Sequence, residues 1–182
     1  MCLCGIDEAG RGPIAGDLVM AGVILHKNID GLNDSKKLSE KRREILYEAI
    51  INVSNYHIVK FSAMEIDNKG IATCLKEGLE SILENLKATN YLFDGNTNFG
   101  VKGIETLIKA DGKVAEVSAA SILAKVTHDR DILKMAKVYP QYCFEKHKGY
   151  GTKLHIDMIR KYGYSPIHRR SYKIKALETR LF

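Results

Sequence analysis

The sequence predicts an α/β protein, a mixed sheet with helices packed on it. Three observations carry that expectation. Short apolar runs of strand length recur along the chain, and stretches of helical period separate them. The connections mix a short glycine loop, suited to a hairpin, with helix-length crossovers. The 182 residues are 45% hydrophobic, enough for a conventional core in one domain with room for a second small lobe.

Residues 3–6 (LCGI) and 18–25 (LVMAGVIL) read as buried strands joined by the loop GRGPIAG. Residues 31–39 (GLNDSKKLS) are rich in turn formers. Ser39 is a suitable N-cap for the helix SEKRREILYEAII, which puts Ile45, Leu46, Ala49 and Ile50 on one face. YHIVKF, residues 56–61, alternates as a strand does. Residues 64–87 carry Ile66, Ile71, Leu75, Leu79, Ile82, Leu83 and Leu86 mostly at three- and four-residue steps, which predicts one long helix. YLFD, residues 91–94, is a strand ending in an acid, and residues 114–117 are a further candidate strand. An alanine-rich helix over 118–139 stops before Pro140, and a last helix over 153–162 closes at Gly163. From Tyr164 onward the chain is basic, contains Pro166 and shows little periodicity.

The net charge of +6 is unevenly placed: residues 1–90 carry −2 and residues 91–182 carry +8, with 10 Lys/Arg against 2 Asp/Glu in 146–182. A basic end suits a polyanionic partner, and a merely solvated basic face explains it equally well. Cys2, Cys4, Cys74 and Cys143 lack the spacing of a zinc site or a disulfide framework and read as reduced thiols. No apolar run reaches the roughly 18 residues of a membrane helix and no signal peptide opens the chain, so the expected location is cytoplasmic.

Acids at the ends of apolar strands are costly unless something pairs with them. Asp7 and Glu8 close the first strand, Asp94 closes YLFD, and Asp111 sits in KADGK; Asp94 and Asp111 precede glycine. Carboxylates from several strand ends can converge on one sheet edge and hold a hard divalent cation. Asp before Gly is also ordinary turn chemistry, the simpler reading of Asp111 alone. Neighbouring side chains on a strand face opposite ways, so Asp7 and Glu8 serve one site only if the chain leaves the extended form at Glu8 or Glu8 offers its carbonyl. The glycines at 10 and 12 permit close approach of backbone to a sugar or phosphate, with Arg11 as a fixed positive charge. The loop matches neither a P-loop nor G-x-G-x-x-G.

DEAGRGP (7–13) resembles the N-terminal signature of the type 2 ribonucleases H, the bacterial ribonuclease HII family. LNDSKKLS (32–39), LFDGN (92–96), KADGK (109–113), VSAASILAKVTHDR (117–130), HKGYGTKLH (147–155) and SPIHRRSY (165–172) resemble that family's further blocks, in its order. The resemblance implies a ribonuclease H-like fold, a mixed five-stranded sheet flanked by helices with a small C-terminal helical part. It implies a catalytic core over 1–145 and a basic segment over 146–182 that packs on it and touches substrate. The implied metal-binding and catalytic acids are Asp7, Glu8, Asp94 and Asp111, holding two ions of Mg²⁺ or Mn²⁺.

The same resemblance assigns Gly10, Arg11 and Gly12 to sensing a ribonucleotide 2′-hydroxyl, and Tyr150 to packing on the neighbouring sugar. It gives Ser35, Lys36, Lys37, Ser121 and Lys125 roles beside phosphates. Asp129 reads as a surface acid paired with Arg130 or Lys125, and His147, His155 and His168 as surface residues. Asp17 departs from the family pattern, which often has proline there, and adds an acid close to the expected site. The implied activity is hydrolysis of the RNA strand of RNA/DNA hybrids and cleavage at ribonucleotides embedded in duplex DNA, by a monomer. No clear clamp-binding peptide is present, although the chain ends in Leu181-Phe182. Another metal nuclease of the same fold, or a non-catalytic nucleic-acid binder, stays open at this point.

Overall fold

The computed structural model describes residues 2–33 and 35–178. β1 (Leu3–Ala9) and β2 (Leu18–Leu25) pair antiparallel around the glycine loop, and β3 (Ser54–Phe61) adds antiparallel to β2. β4 (Asn90–Asp94) and β5 (Ile104–Leu107) add in parallel on the other side of β1. The result is the expected mixed sheet of five strands, and their order is β3-β2-β1-β4-β5. The helices are α1 (Glu40–Asn52), α2 (Ala63–Lys69), α3 (Ile71–Asn85), α4 (Ala115–Val138), α5 (Phe144–His147), α6 (Lys153–Tyr162) and α7 (Lys175–Glu178).

The pleat sorts β2 into two layers. Leu18, Met20 and Ile24 pack with Leu75, Leu79 and Ile82 of α3 on one face. Val19, Ala21 and Val23 pack on the other with Leu46 and Ile50 of α1 and with Ala119, Ile122 and Leu123 of α4. Each of the Val, Leu, Ile and Met side chains among them contributes roughly 1.5–3 kcal/mol on full burial. The small residues of α4 let it sit directly on β1. A Cβ on Gly5 would lie 2.2 Å from the Glu116 carbonyl carbon and 2.3 Å from the Val117 nitrogen. Any side chain at position 5 would therefore push α4 off the sheet. A third cluster joins Ile14 and Ala15 of the glycine loop to Ile132, Tyr142, Phe144 and Ile159.

Three elements differ from expectation. The helix expected over 64–87 is two, α2 and α3, because Gly70 takes φ 82°, ψ 149° between them. A Ser62–Glu65 capping box starts α2. Residues 114–117 are not a strand: Val114 is the N-cap of α4, without a side-chain cap, and 115–117 are its first turn. The fifth strand is β5, in which only Ile104 is buried, so no apolar alternation marks it. The thiols are free, and Cys4 and Cys74 are buried in the α3-side layer. Among the described residues no helix is long and apolar enough to cross a membrane.

Candidate active site

The register of β1 on β4 builds the acid cluster. Ile6 lies opposite Phe93, and both enter the α3-side layer. The next residues, Asp7 and Asp94, therefore share the opposite face, beneath α4. Asp111 arrives from a 3₁₀ turn (Ala110–Gly112) between β5 and α4. Ligand oxygens of Asp7, Asp94 and Asp111 all lie within 4.8 Å of one another. Backbone amides hold Asp94: the Lys109 N–H donates to Oδ1 at 2.9 Å and the Asp111 N–H to Oδ2 at 3.3 Å. Lys109 adopts a left-handed conformation (φ 59°), which costs about 1–2 kcal/mol for a non-glycine residue. The Ser118 hydroxyl ties down the Asp111 carbonyl at 2.5 Å.

Glu8 behaves differently from either expectation. β1 stays extended through Ala9, so the pleat turns Glu8 away from Asp7, and Glu8 is absent from the three-acid cluster. It nevertheless lines the same cleft; its Oε1 lies 3.8 Å from Arg11, and its buried Oε2 has no partner among the described residues. Burial, reinforced by the Glu8 charge, pushes the Asp7 carboxyl well above the usual carboxylate range. Burial likewise pushes Glu8 up to about 7, against the pull of Arg11 and with a further push from Asp94. Carboxylates buried and crowded to this degree favour an added positive charge beside them. Hard oxygen donors with no histidine among them, and one orphaned buried carboxylate oxygen, fit a divalent cation of the Mg²⁺ or Mn²⁺ kind.

The cleft has two lobes. A cavity of about 530 Å³ contains Asp7, Glu8, Asp94 and Asp111, rimmed by Lys36, Lys37, Lys109 and Lys113. A second, of about 270 Å³, shares Asp7, Glu8 and Lys36 and runs on to Gly10, Arg11, Gly12, Ser35, Ser121, Lys125 and Tyr150. Every candidate site residue of the sequence thus lines one lobe or both. The Ser121 hydroxyl, on α4, bonds the Asp7 carboxylate and lies 2.8 Å from the Ser35 hydroxyl. Arg43 of α1 fastens the 3₁₀ turn Ser35–Lys37 through the Ser35 and Leu38 carbonyls at 2.9 and 2.6 Å.

Several side chains sit where sequence reasoning did not put them. Asp129 is buried, not a surface acid; it pairs with Lys125 at 2.8 Å and His128 at 3.0 Å and so orients Lys125 toward the cleft. Arg130 instead reaches Glu44 and Glu48. Asp17 lines neither lobe; it faces Asp131, Lys60 and Arg169, and burial raises its pKa.

His147, His155 and His168 are buried rather than on the surface. Backbone partners of fixed role assign the proton positions. The Ser165 N–H donates to His168 Nδ1 at 2.8 Å, so His168 Nε2 donates to His155 Nε2 at 2.9 Å. His155 Nδ1 then donates to the Tyr150 carbonyl at 2.9 Å. Burial lowers both imidazoles to about 4. With the Tyr150 N–H bonded to the His147 carbonyl at 2.9 Å, the cluster fixes the backbone of Tyr150, whose half-exposed ring lies over Gly12. Periodicity bears only on His155, on the amphipathic α6; nothing local marks His147 or His168, whose burial depends on partners from other segments.

Strand-end carboxylates on a mixed sheet, beside a basic, glycine-walled cleft, define the class: a metal-dependent endonuclease. The comparisons agree. The Ribonuclease HII family model matches residues 4–175. Ribonuclease HII of Sulfurovum sp. (strain NBC37-1) is 63% identical over 176 residues, 97% of this chain and 94% of that protein. Ribonuclease HII of Aliarcobacter butzleri (strain RM4018) is 59% identical, covering 96% and 92%. The structure of the PCNA:RNase HII complex from Archaeoglobus fulgidus superposes with a TM-score of 0.82 at 29% identity, covering 96% of each chain. The chain belongs to the ribonuclease HII family and has its ribonuclease H-like fold. The alternatives of another metal nuclease of the same fold and a non-catalytic binder fall away.

Proposed function

We propose that the protein hydrolyses the RNA strand of RNA/DNA hybrids and cuts at ribonucleotides embedded in duplex DNA, leaving 5′-phosphate and 3′-hydroxyl ends. The observation that carries this reading is the shared cleft, with acids in one lobe and the glycine loop with Tyr150 in the other, joined at Asp7, Glu8 and Lys36. Asp7, Glu8, Asp94 and Asp111 would hold two divalent ions, Mg²⁺ or Mn²⁺. When bound, such ions make water a nucleophile at neutral pH and offset charge on the leaving oxygen.

The chain's own residues do the rest. Ser121 and the Lys109 and Asp111 amides keep the carboxylates in place without competing for all their oxygens. Lys36, Lys37 and Lys125, with Ser35 and Ser121, receive phosphates along the cleft. Backbone at Gly10 to Gly12 approaches the ribose closely, and the Tyr150 ring packs on the adjoining sugar; the 2′-hydroxyl is what separates RNA from DNA there. Residues 146–182 form a basic unit that holds the duplex backbone without reading sequence, with residues 1–145 as the catalytic core. Thr179, Arg180, Leu181 and Phe182 lie outside the described residues. All the site residues come from one chain, so a monomer suffices.

The test is Asp7→Asn. Hybrid binding should persist while cleavage falls below about a tenth of wild type, since losing a shared ion ligand costs several kcal/mol. A variant that retains more than that argues against the metal reading.

A further inference from the structure

Arg169 has no part in the mechanism above, yet it is the largest side chain that the fold buries completely. Its guanidinium spreads over the inner side of the glycine loop. Nη2 donates to the Gly10 carbonyl at 2.6 Å and to the Gly16 carbonyl at 2.8 Å, and Nε reaches Gly16 at 3.0 Å. Nη1 donates to the Arg11 carbonyl at 3.3 Å and to the Tyr172 hydroxyl at 3.0 Å. That hydroxyl donates in turn to the Arg11 carbonyl at 2.8 Å. Its hydrogen-bond partners are carbonyl and hydroxyl oxygens, and the charges of Asp17 and Asp67 further oppose the cost of burying the guanidinium.

The consequence follows from peptide geometry. No peptide bond here is cis, and a trans peptide points its N–H opposite to its C=O. The Gly10 carbonyl shares a peptide with the Arg11 N–H, and the Arg11 carbonyl shares one with the Gly12 N–H. Holding both carbonyls on Arg169 therefore aims both N–H groups the other way. On that other side lies the lobe lined by Gly10, Arg11, Gly12 and Tyr150, which Arg169 does not line.

We infer that Arg169, braced by Tyr172, is a positioning residue for ribose discrimination: by anchoring the Gly10 and Arg11 carbonyls it presents the Arg11 and Gly12 N–H groups to the 2′-hydroxyl. This rests on the proposal that the glycine loop reads that hydroxyl. A planar fork serves several carbonyls in fixed directions, which a lysine ammonium on a flexible stem does not.

The test is equilibrium binding by the full chain carrying Asp7→Asn, with Mg²⁺ present. Two duplexes are compared, identical except that one carries a single internal ribonucleotide and the other is all DNA. The measured quantity is the affinity ratio of the first to the second. Arg169→Lys should lower that ratio by roughly five- to tenfold, the worth of one well-placed hydrogen bond, with little change for the all-DNA duplex. Gly12→Ala in the same background is the control for the loop itself. If Gly12→Ala leaves the ratio at its starting value, the loop reading fails and this inference fails with it. If Gly12→Ala lowers the ratio and Arg169→Lys does not, or weakens both duplexes equally, the loop reading stands and the role of Arg169 is overturned. Should Arg169→Lys not fold, Tyr172→Phe decides: it removes one donor to the Arg11 carbonyl and should lower the ratio by a smaller factor, and no change overturns the inference.

Discussion

Gly10 and Gly12 lie two residues apart in one loop, and the structure gives them opposite sensitivities to a methyl group. A Cβ on Gly12 would meet only Tyr150 Cε1, at 3.7 Å, an ordinary van der Waals contact, and its φ lies outside the left-handed region. Gly12→Ala should therefore leave stability unchanged or raise it by about 0.4–1 kcal/mol, through the reduced freedom of the unfolded chain. A Cβ on Gly10 would stand 2.4 Å from the Asp17 carbonyl oxygen and 2.6 Å from the His128 ring, at φ 87°. The left-handed conformation costs roughly 1–2 kcal/mol and the overpacking about 1–3. Gly10→Ala should then lose roughly 2–5 kcal/mol, at about 2–4 °C of Tm per kcal/mol for a chain of this size. In cleavage the order reverses in meaning. Gly12→Ala narrows the space for the ribose and should slow cutting at a single embedded ribonucleotide by about tenfold or more, one lost hydrogen bond's worth. Thermal melting and initial rates, measured on the same preparation, separate the two effects. A normally stable Gly12→Ala protein with full activity refutes the loop as a reader of the 2′-hydroxyl. A Gly10→Ala protein that melts with wild type refutes the packing argument.

Three further outcomes are expected. Raised carboxyls contribute stability that is fully present below about pH 4.5 and is lost as the pH rises through about 7 for Glu8; ions restore it, so Mg²⁺ should raise Tm more at pH 8 than at pH 6, and an equal rise at both would count against the cluster as the ion site. His155 and His168 have lowered pKa values, so their contribution is present above about pH 6.5 and is lost as the pH falls through about 4; NMR should show neither ring titrating until near pH 4, and titration near 6.5 would contradict their burial. Replacing Lys173 and Lys175 with Ala should weaken all duplexes alike and lower the salt slope by up to about 2, and an unchanged slope would show that this segment does not touch substrate.

The strand-end acids were legible in the residues because their signals are local, whereas the serines, lysines and Tyr150 of the cleft were named only through the family resemblance. Asp7, Glu8 and Asp94 each follow an apolar run, and an acid there stands out against its neighbours. What the residues did not reveal depends on partners far away in the chain. The break at Gly70 follows from a positive φ that glycine permits but does not announce. β5 is a strand because β4 lies beside it; its own residues, three of four exposed, carry no pattern. The imidazole cluster reads as polar and therefore as surface, since only mutual hydrogen bonds and stacked rings make its burial tolerable. Arg169 looks like one more cation in a basic tail, and nothing near it in sequence reports that its carbonyl acceptors lie more than 150 residues upstream.

That separation bears on how the protein folds. The glycine loop follows β1, yet it is clasped by segments more than 130 residues further along the chain. Ile14 donates to the Gly149 carbonyl, Gly16 to that of Ile167, and Arg169 returns to Ile14. Contacts so distant in sequence must wait for the whole intervening chain and bear the loop-closure entropy of drawing its ends together. The sheet and its acids lie within residues up to about 138, the end of α4; Ile14 and Ala15 already meet Ile132 there, whereas the clasp through Gly149, Ile167 and Arg169 comes from later segments. Losing those later segments would leave the acid cluster beside a loop without its clasp.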